Sequence, residues 1–295
     1  MLLAVPNVSE GRDRATIERL AGAFGALRLL DVHSDPDHGR SVITLAGEQR
    51  EIAEGLLAGA RAAVAEIDVS GHPGRHPHVG AIDVAPVVHL DGADRGAAIA
   101  AALTAAALIG DDLALPVFLY GALAHGRERA ELRAGGLAAL AERMRSGELV
   151  PDYGPAEPHP SAGAVLVTAR PPLVAFNVDL DSDDVELARA IAADLRESGA
   201  GPPGVRAIGI YLPERGRAQV SMNVHDPESV PLAGLVERVR ERAPVAEAEL
   251  VGLAPRAAFA GFPDDVPLRG FDPELHLIED VLGSLTSDGS DEAQA

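Results

Sequence analysis

Leu173-Val174-Ala175-Phe176-Asn177-Val178 reads as a strand, and the periods that follow it decide the fold. Asp183–Ser198 has the spacing of a helix, with Ser182 as its N-cap. Val205–Leu212 and Gln219–Val224 read as two more strands, Pro227–Arg242 as a second helix and Ala246–Val251 as a last strand. The order is β-α-β-β-α-β, the split-βαβ pattern of ferredoxin-like domains. It is complete, and every element has an ordinary length.

Toward the N-terminus the same alternation continues in looser form. Leu2–Pro6 reads as a buried strand, followed by a polar turn over Asn7–Arg12 and a helix over Arg14–Phe24 with Asp13 as its N-cap. Leu27–Val32 and Ser41–Leu45 read as paired strands around the turn Asp35-Pro36-Asp37-His38-Gly39. Glu48–Ile67 is helical by pattern, and Asp68–Gly80 is polar and rich in Gly and Pro. A strand at Ile82–Leu90, a helix at Asp94–Ile109, a strand at Pro116–Tyr120 and a helix over Arg127–Arg145 complete this half. Strands alternating with helices imply an α/β layer fold. The proline-rich loop between Pro151 and Gly163 places the domain boundary near residue 172, at Arg170-Pro171-Pro172. The expected organisation is an N-terminal subdomain over 1–172, a ferredoxin-like subdomain over 173–285 and a disordered acidic tail over 286–295. No internal repeat is evident.

Composition narrows the chemistry. The 295 residues are 47% hydrophobic but only 3% aromatic, with no Trp, so the core is built from Ala, Val, Leu and Ile. Acidic residues outnumber basic ones 45 to 25, for a formal charge of −20. A field of that sign repels nucleic acid and anionic membranes, while leaving room for a local arginine site for small anions. There is no Cys, which removes disulfides and thiolate nucleophiles. Every basic residue is Arg; without a lysine amine, Schiff-base chemistry and a Walker-type phosphate loop are excluded. His, Asp, Glu, Ser, Tyr and Arg remain for catalysis. The short apolar start lacks the form of a signal peptide. The longest apolar run, Gly96–Gly110, reads as a packed helix rather than a membrane span, so the expected location is the cytoplasm.

Five of the ten histidines lie between His33 and His78. The densest group is Gly71-His72-Pro73-Gly74-Arg75-His76-Pro77-His78, whose prolines forbid a regular helix and hence a helical i, i+4 metal pair. Three readings of this loop stand side by side. Its histidines are simply a polar surface connection, or ligands of a metal completed by Asp68 or Asp83, or general acid–base groups titrating near neutrality. The third is favoured, and no metal is expected. Asp35–Arg40 taken alone reads as a hairpin turn rich in turn formers; the functional alternative is Arg40 holding a carboxylate with its planar donor fork.

The series Val5-Pro6-Asn7-Val8-Ser9-Glu10-Gly11-Arg12, the His72–Gly80 loop, Leu119-Tyr120-Gly121, Pro151-Asp152-Tyr153-Gly154-Pro155, Val174-Ala175-Phe176-Asn177, Ala218–Asn223 and Glu249–Leu253 resembles the glutamate formimidoyltransferases. The likeness runs from residue 2 to about 255. It implies two facing α/β (α+β) subdomains with tetrahydrofolate, a co-substrate, bound between them. It implies transfer of a formimidoyl group from N-formimidoyl-L-glutamate to N5 of tetrahydrofolate, a step of histidine degradation, by a homodimeric enzyme. His76 falls on the catalytic position. Arg40, Arg75, His72 and His78 fall around the substrate, and Gly154, Pro155, Ala156, Glu157, Pro158, His159, Pro160, Ser161, Ala162 and Gly163 on the folate-binding loop. The chain departs from the family pattern at Gly39, His78 and Ala122. A related transferase using another formyl or formimidoyl amino acid, or a folate-binding protein without turnover, are the alternatives these departures leave open.

Overall fold

The computed structural model describes residues 1–72 and 76–284. The chain divides into two compact units, Met1–Pro171 and Pro172–Ala295, each with its own core. Arg75 and the acidic tail expected to be disordered lie outside the described residues.

The first unit runs β1 (Leu2–Ala4), β2 (Asn7–Val8), α1 (Arg14–Ala21), β3 (Arg28–Asp35), β4 (Arg40–Gly47), α2 (Gln49–Glu66), β5 (Ile82–His89), α3 (Arg95–Leu113), β6 (Val117–Leu119), α4 (Arg129–Arg133), α5 (Gly136–Arg145) and β7 (Val165–Arg170). β1 and β2 both pair with β4 on one side and β5 on the other. They act as one strand interrupted at Pro6, which has no N–H to give to a ladder. The polar turn expected from Asn7 therefore begins two residues later than its composition suggests. Taking β1 and β2 as one, the antiparallel part of the sheet reads β3-β4-β1/β2-β5, and β7 and β6 extend it with parallel pairing. The elements through β5 thus follow the same β-α-β-β-α-β order as the second unit. The elements expected from the sequence already carry that order; the structure adds the matching strand order of the two sheets.

Which face each strand residue takes follows from the period of two. The first core gathers α1, α2 and α3 on one face, with Leu20, Ile52, Leu56, Ala102 and Ile109 against Ile43, Leu45, Val165 and Val167. α3 is long and apolar enough to cross a membrane by length and composition alone. In the structure its Ala98, Ala101, Ala102, Ala105 and Ala106 are buried in this core. A second cluster sets Leu132, Leu140 and Met144 of α4 and α5 against Phe118 and Leu166 on the opposite face. Because Ile43 and Val167 belong to the first core, Arg40 of β4 and Arg170 of β7 project from the second face, where α4 lies.

A single helix was the expectation for Arg127–Arg145. The structure breaks it at Gly135 and Gly136, whose φ of +75° and +68° lie in the left-handed region that glycine enters without a Cβ penalty. The break sets Arg129 and Arg133 on a short helix of their own. The strand β7 was not foreseen at all. It is a continuous apolar run with no alternation to mark it, and it follows directly on the proline-rich connection.

The second unit runs β8 (Val174–Leu180), α6 (Val185–Leu195), β9 (Val205–Leu212), β10 (Arg217–Val224), α7 (Leu232–Arg240) and β11 (Val245–Val251). Its sheet order β11-β8-β10-β9, antiparallel throughout, is the ferredoxin-like arrangement. Val174, Phe176, Val178 and Leu180 face Ile191 and Leu195 of α6 and Leu235 and Val239 of α7. The N-cap of α6 is Asp184, whose carboxylate accepts the Leu187 N–H at 2.9 Å, while Ser182 accepts the N–H of Asp184 itself. The cap thus falls two residues after the serine that composition pointed to. On the other face of this sheet, Gln219 donates to Asp179 at 2.7 Å and Asn177 donates to Glu249 at 3.0 Å. Arg269 also pairs with Glu249 at 2.5 Å.

Candidate active site

The His loop joins α2 to β5, and the segment after β2 braces it. Ser9 donates its hydroxyl hydrogen to Gly80 O at 2.7 Å, and Ser41 donates to Glu10 O at 2.6 Å. Gly11 lies against the β3–β4 turn so closely that a Cβ there would sit 2.2 Å from Asp35 O and 2.6 Å from Arg40 N. Only glycine permits that approach. The turn itself is closed by Gly39 N–H donating to Asp35 O at 2.9 Å and His38 N–H donating to the Asp35 carboxylate at 2.8 Å. These contacts bring Asn7, Val8, Ser9, His38, Arg40, His76, His78 and Asp83 around one small cleft.

His76 is buried, 9% exposed. Arg40 Nη1 stands 2.8 Å from its Nε2, and its Nδ1 stands 3.0 Å from Pro77 O. A guanidinium has only donors, so Nε2 accepts and the ring proton sits on Nδ1, donated to Pro77 O. His38 stacks on the ring at 5.8 Å between centroids. Burial first, then the charges of Arg40, Arg133, His38 and Arg129, hold the His76 ring well below its ordinary pKa. His76 is therefore neutral at physiological pH, with its lone pair on Nε2. The sign of the pH effect follows. A base whose pKa is depressed stays unprotonated until the pH falls through that lower value. In a pH–kcat/KM profile the acid limb produced by His76 will lie below the usual histidine value of about 6.5; a limb centred above it would contradict this environment.

The charges of Arg40, Arg133 and Arg129 reach the imidazole, and Arg129 also acts on a fourth arginine, Arg170. Arg40 comes from β4, Arg170 from β7, and Arg129 and Arg133 from α4. Burial, then Arg133 and Arg129, push Arg40 down to about 9. Burial pushes Arg170 down to about 10, with Arg129 adding to the effect. Arg133 is lowered by burial even though it pairs with Asp83, itself only 4% exposed. The second acceptor oxygen of Asp83 takes the Val79 N–H at 2.7 Å, which ties α4 to the end of the His loop. Among the described residues, Arg40, Arg129 and Arg170 have no carboxylate within ion-pair distance. In a chain of net charge −20, a group of desolvated, carboxylate-free guanidiniums has the chemistry to hold an anion.

Comparison with known proteins identifies the family. Residues 1–170 match the formiminotransferase domain, N-terminal subdomain, and residues 175–262 match the formiminotransferase domain. The glutamate formimidoyltransferase of Streptococcus pyogenes is 36% identical over 290 residues, covering 94% of this chain and 97% of that protein. The chain belongs to the formiminotransferase family. The glutamate formimidoyltransferase of Thermoplasma acidophilum is 34% identical, covering 93% of this chain and 95% of its own. The formimidoyltransferase-cyclodeaminase of Sus scrofa is 40% identical over 302 residues, and there the match spans 56% of the longer protein.

Within this formiminotransferase fold the residues singled out by sequence fall into separate environments. His76 and Arg40 meet directly. His72 and His78 contact each other edge to face, with centroids 4.4 Å apart, and His78 Nδ1 lies 3.1 Å from His76 O. Burial, then His78, lowers the pKa of His72. The Gly154–Gly163 segment is exposed over its first four residues and closes into a turn at its end. There His159 and Gly163 exchange N–H···O bonds of 2.8 and 2.9 Å. Ala81 N–H donates to Ala162 O at 2.9 Å and Ala164 N–H to Val79 O at 3.0 Å, fastening this turn to the end of the His loop. Among the described residues no group of three His, Asp or Glu is placed to hold a metal ion. Sequence reading missed Arg129, Arg133, Arg170 and Asp83 in this role. One signal was available: Arg129 and Arg133 stand at i, i+4, a like-charge spacing that costs helix stability and invites another explanation.

Proposed function

We propose that the chain is a folate-dependent transferase that moves the formimidoyl group of N-formimidoyl-L-glutamate to N5 of tetrahydrofolate, with His76 as general base and then general acid. One observation carries the assignment of roles. A neutral imidazole with its lone pair on Nε2 stands inside a cluster of carboxylate-free arginines, in a chain of this family. The arginines suit the carboxylates of a glutamate-derived donor, and burial strengthens such bonds. His76 Nε2 accepts the proton released as the N5 amine bonds to the amidine carbon. The imidazolium so formed returns that proton to the glutamate nitrogen as its C–N bond breaks. Atoms and charge balance with one imidazole serving both steps, a device that contributes about 10²–10⁴-fold.

Folate fits as co-substrate here in one respect: the end of the Gly154–Gly163 segment is bound to the backbone where the base's own loop enters its strand. Residence in the cytoplasm and a homodimeric state belong to the same reading. The test is direct. Purified protein, N-formimidoyl-L-glutamate and tetrahydrofolate should yield 5-formimidoyl-tetrahydrofolate and free glutamate in equal amounts. Transfer from a different formyl or formimidoyl amino acid, with none from the glutamate donor, would reassign the donor. Tetrahydrofolate binding with no transfer from any of them would leave a binding protein.

Arg40→Ala should raise KM for the glutamate donor by about 10–100-fold, the worth of one charge-assisted hydrogen bond, and lower kcat far less. An unchanged KM would remove Arg40 from the donor site.

A further inference from the structure

In the structure the base that performs transfer is capped. Nε2, the ring atom whose lone pair must take the proton, already accepts a hydrogen bond from Arg40 at 2.8 Å. The ring offers no second lone pair, because Nδ1 carries the proton given to Pro77 O. Turning the ring over would break both bonds at once. We propose that Arg40 is a latch on His76 that only a carboxylate of the donor lifts, which makes Arg40 a specificity-determining residue that restricts transfer to anionic donors. This rests on the reading of His76 as the transfer base.

The residues around Arg40 supply the driving force. No carboxylate lies within ion-pair distance of it among the described residues, and burial, Arg133 and Arg129 together disfavour its charge more than Asp83 and Asp35 favour it. Asp83 is committed to Arg133 and to the Val79 N–H, which leaves the imidazole as the acceptor Arg40 uses. A carboxylate is a stronger acceptor for a guanidinium than a neutral ring nitrogen, by roughly twofold in bond strength, and it accepts in a two-point fork. Arg40 therefore moves to a carboxylate when one arrives, and Nε2 is released in the same event. A neutral ligand offers nothing better than the imidazole, so the latch stays closed. A ligand shifts an equilibrium only by its differential interaction with the two states, and here that difference is the donor's negative charge.

The test follows the His76 ring nitrogens by NMR in the full chain labelled with ¹⁵N-histidine, assigned by their loss in His76→Gln. Glutamate, which carries the carboxylates without the transferable group, should move Nε2 downfield toward an acceptor free of hydrogen bonds. Glutaramide, which has amides in place of the carboxylates and no amino group, should leave Nε2 in place. In ligand-free Arg40→Met, Nε2 should already sit at the downfield position and not respond to glutamate. The preference in kcat/KM for N-formimidoyl-glutamate over a neutral formimidoyl amine should also fall by about 10–100-fold in Arg40→Met. An Nε2 signal that glutamate leaves unmoved at every concentration, or that glutaramide moves equally, overturns the latch. Because the NMR readout needs no turnover, a protein that transfers normally with an immobile Nε2 would refute the latch and leave the transferase reading intact. Absence of transfer would strike that reading separately.

Discussion

His76→Ala should lower turnover by about 10²–10⁴-fold, the usual contribution of a positioned acid–base group, while tetrahydrofolate still binds. The side chain makes two hydrogen bonds, to Arg40 and Pro77, and one ring contact, to His38. None of these joins secondary-structure elements of the core, so the variant should fold. Binding should be read by calorimetry, since a chain without Trp gives little intrinsic fluorescence signal. The loss should appear in kcat and in kcat/KM alike, as expected for an interaction made only in the transition state. A variant that kept near-full rate would move the base to His72 or His78. Those rings contact each other and lie on the same loop.

Asp83→Ala is the second large effect, and it falls on stability as well as rate. Asp83 and Arg133 are both nearly buried, and removing one partner of a buried pair strands the other charge, at about 3–5 kcal/mol. For a unit of this size that corresponds to a fall in Tm on the order of 10 °C. The Val79 N–H also loses its acceptor. The expected pattern has a second half. The double variant Asp83→Leu, Arg133→Leu should recover most of the stability, because well-packed apolar pairs often match or exceed a buried ion pair. It should not recover donor affinity, since Arg133, whose charge bears on Arg40 and His76, is gone. If the double variant restored both, the pair would serve the fold alone; if the single variant melted normally, the burial argument for it would be wrong.

Legibility differed between the two units for a physical reason. In β8, Val174, Phe176, Val178 and Leu180 face a helical layer while Asn177 and Asp179 face away. A sheet covered by helices on one side writes that alternation into the sequence. In the first unit, β7 is covered on both faces, by α3 on one and by the α4–α5 cluster on the other. Its residues are apolar almost throughout, and a short apolar run does not distinguish strand from helix or from linker. The break before α5 was likewise hidden: Gly135-Gly136 was on the page, but only the backbone angles show that both glycines are used as a turn.

For the site, the sequence by itself determined the parts that chemistry restricts locally. With no Cys or Lys, the histidine loop became the candidate for catalysis, and prolines at 73 and 77 argued against a regular helix there. The order of motifs placed His76 and Arg40 at the centre. What only the tertiary structure decided is which charges share a low-dielectric space. Arg40, Arg129, Arg133 and Arg170 are up to 130 residues apart in sequence and carry no common motif. They meet because β4, β7 and α4 present the same face of one sheet. The state of His76 was decided in the same way. Its neutrality comes from burial and from neighbouring cations, and its lone pair lies on Nε2 because a guanidinium folded against it has only hydrogens to offer. Local pattern fixes which groups are available for proton transfer; the fold sets their distances and dielectric, and these fix the protonation state each group holds.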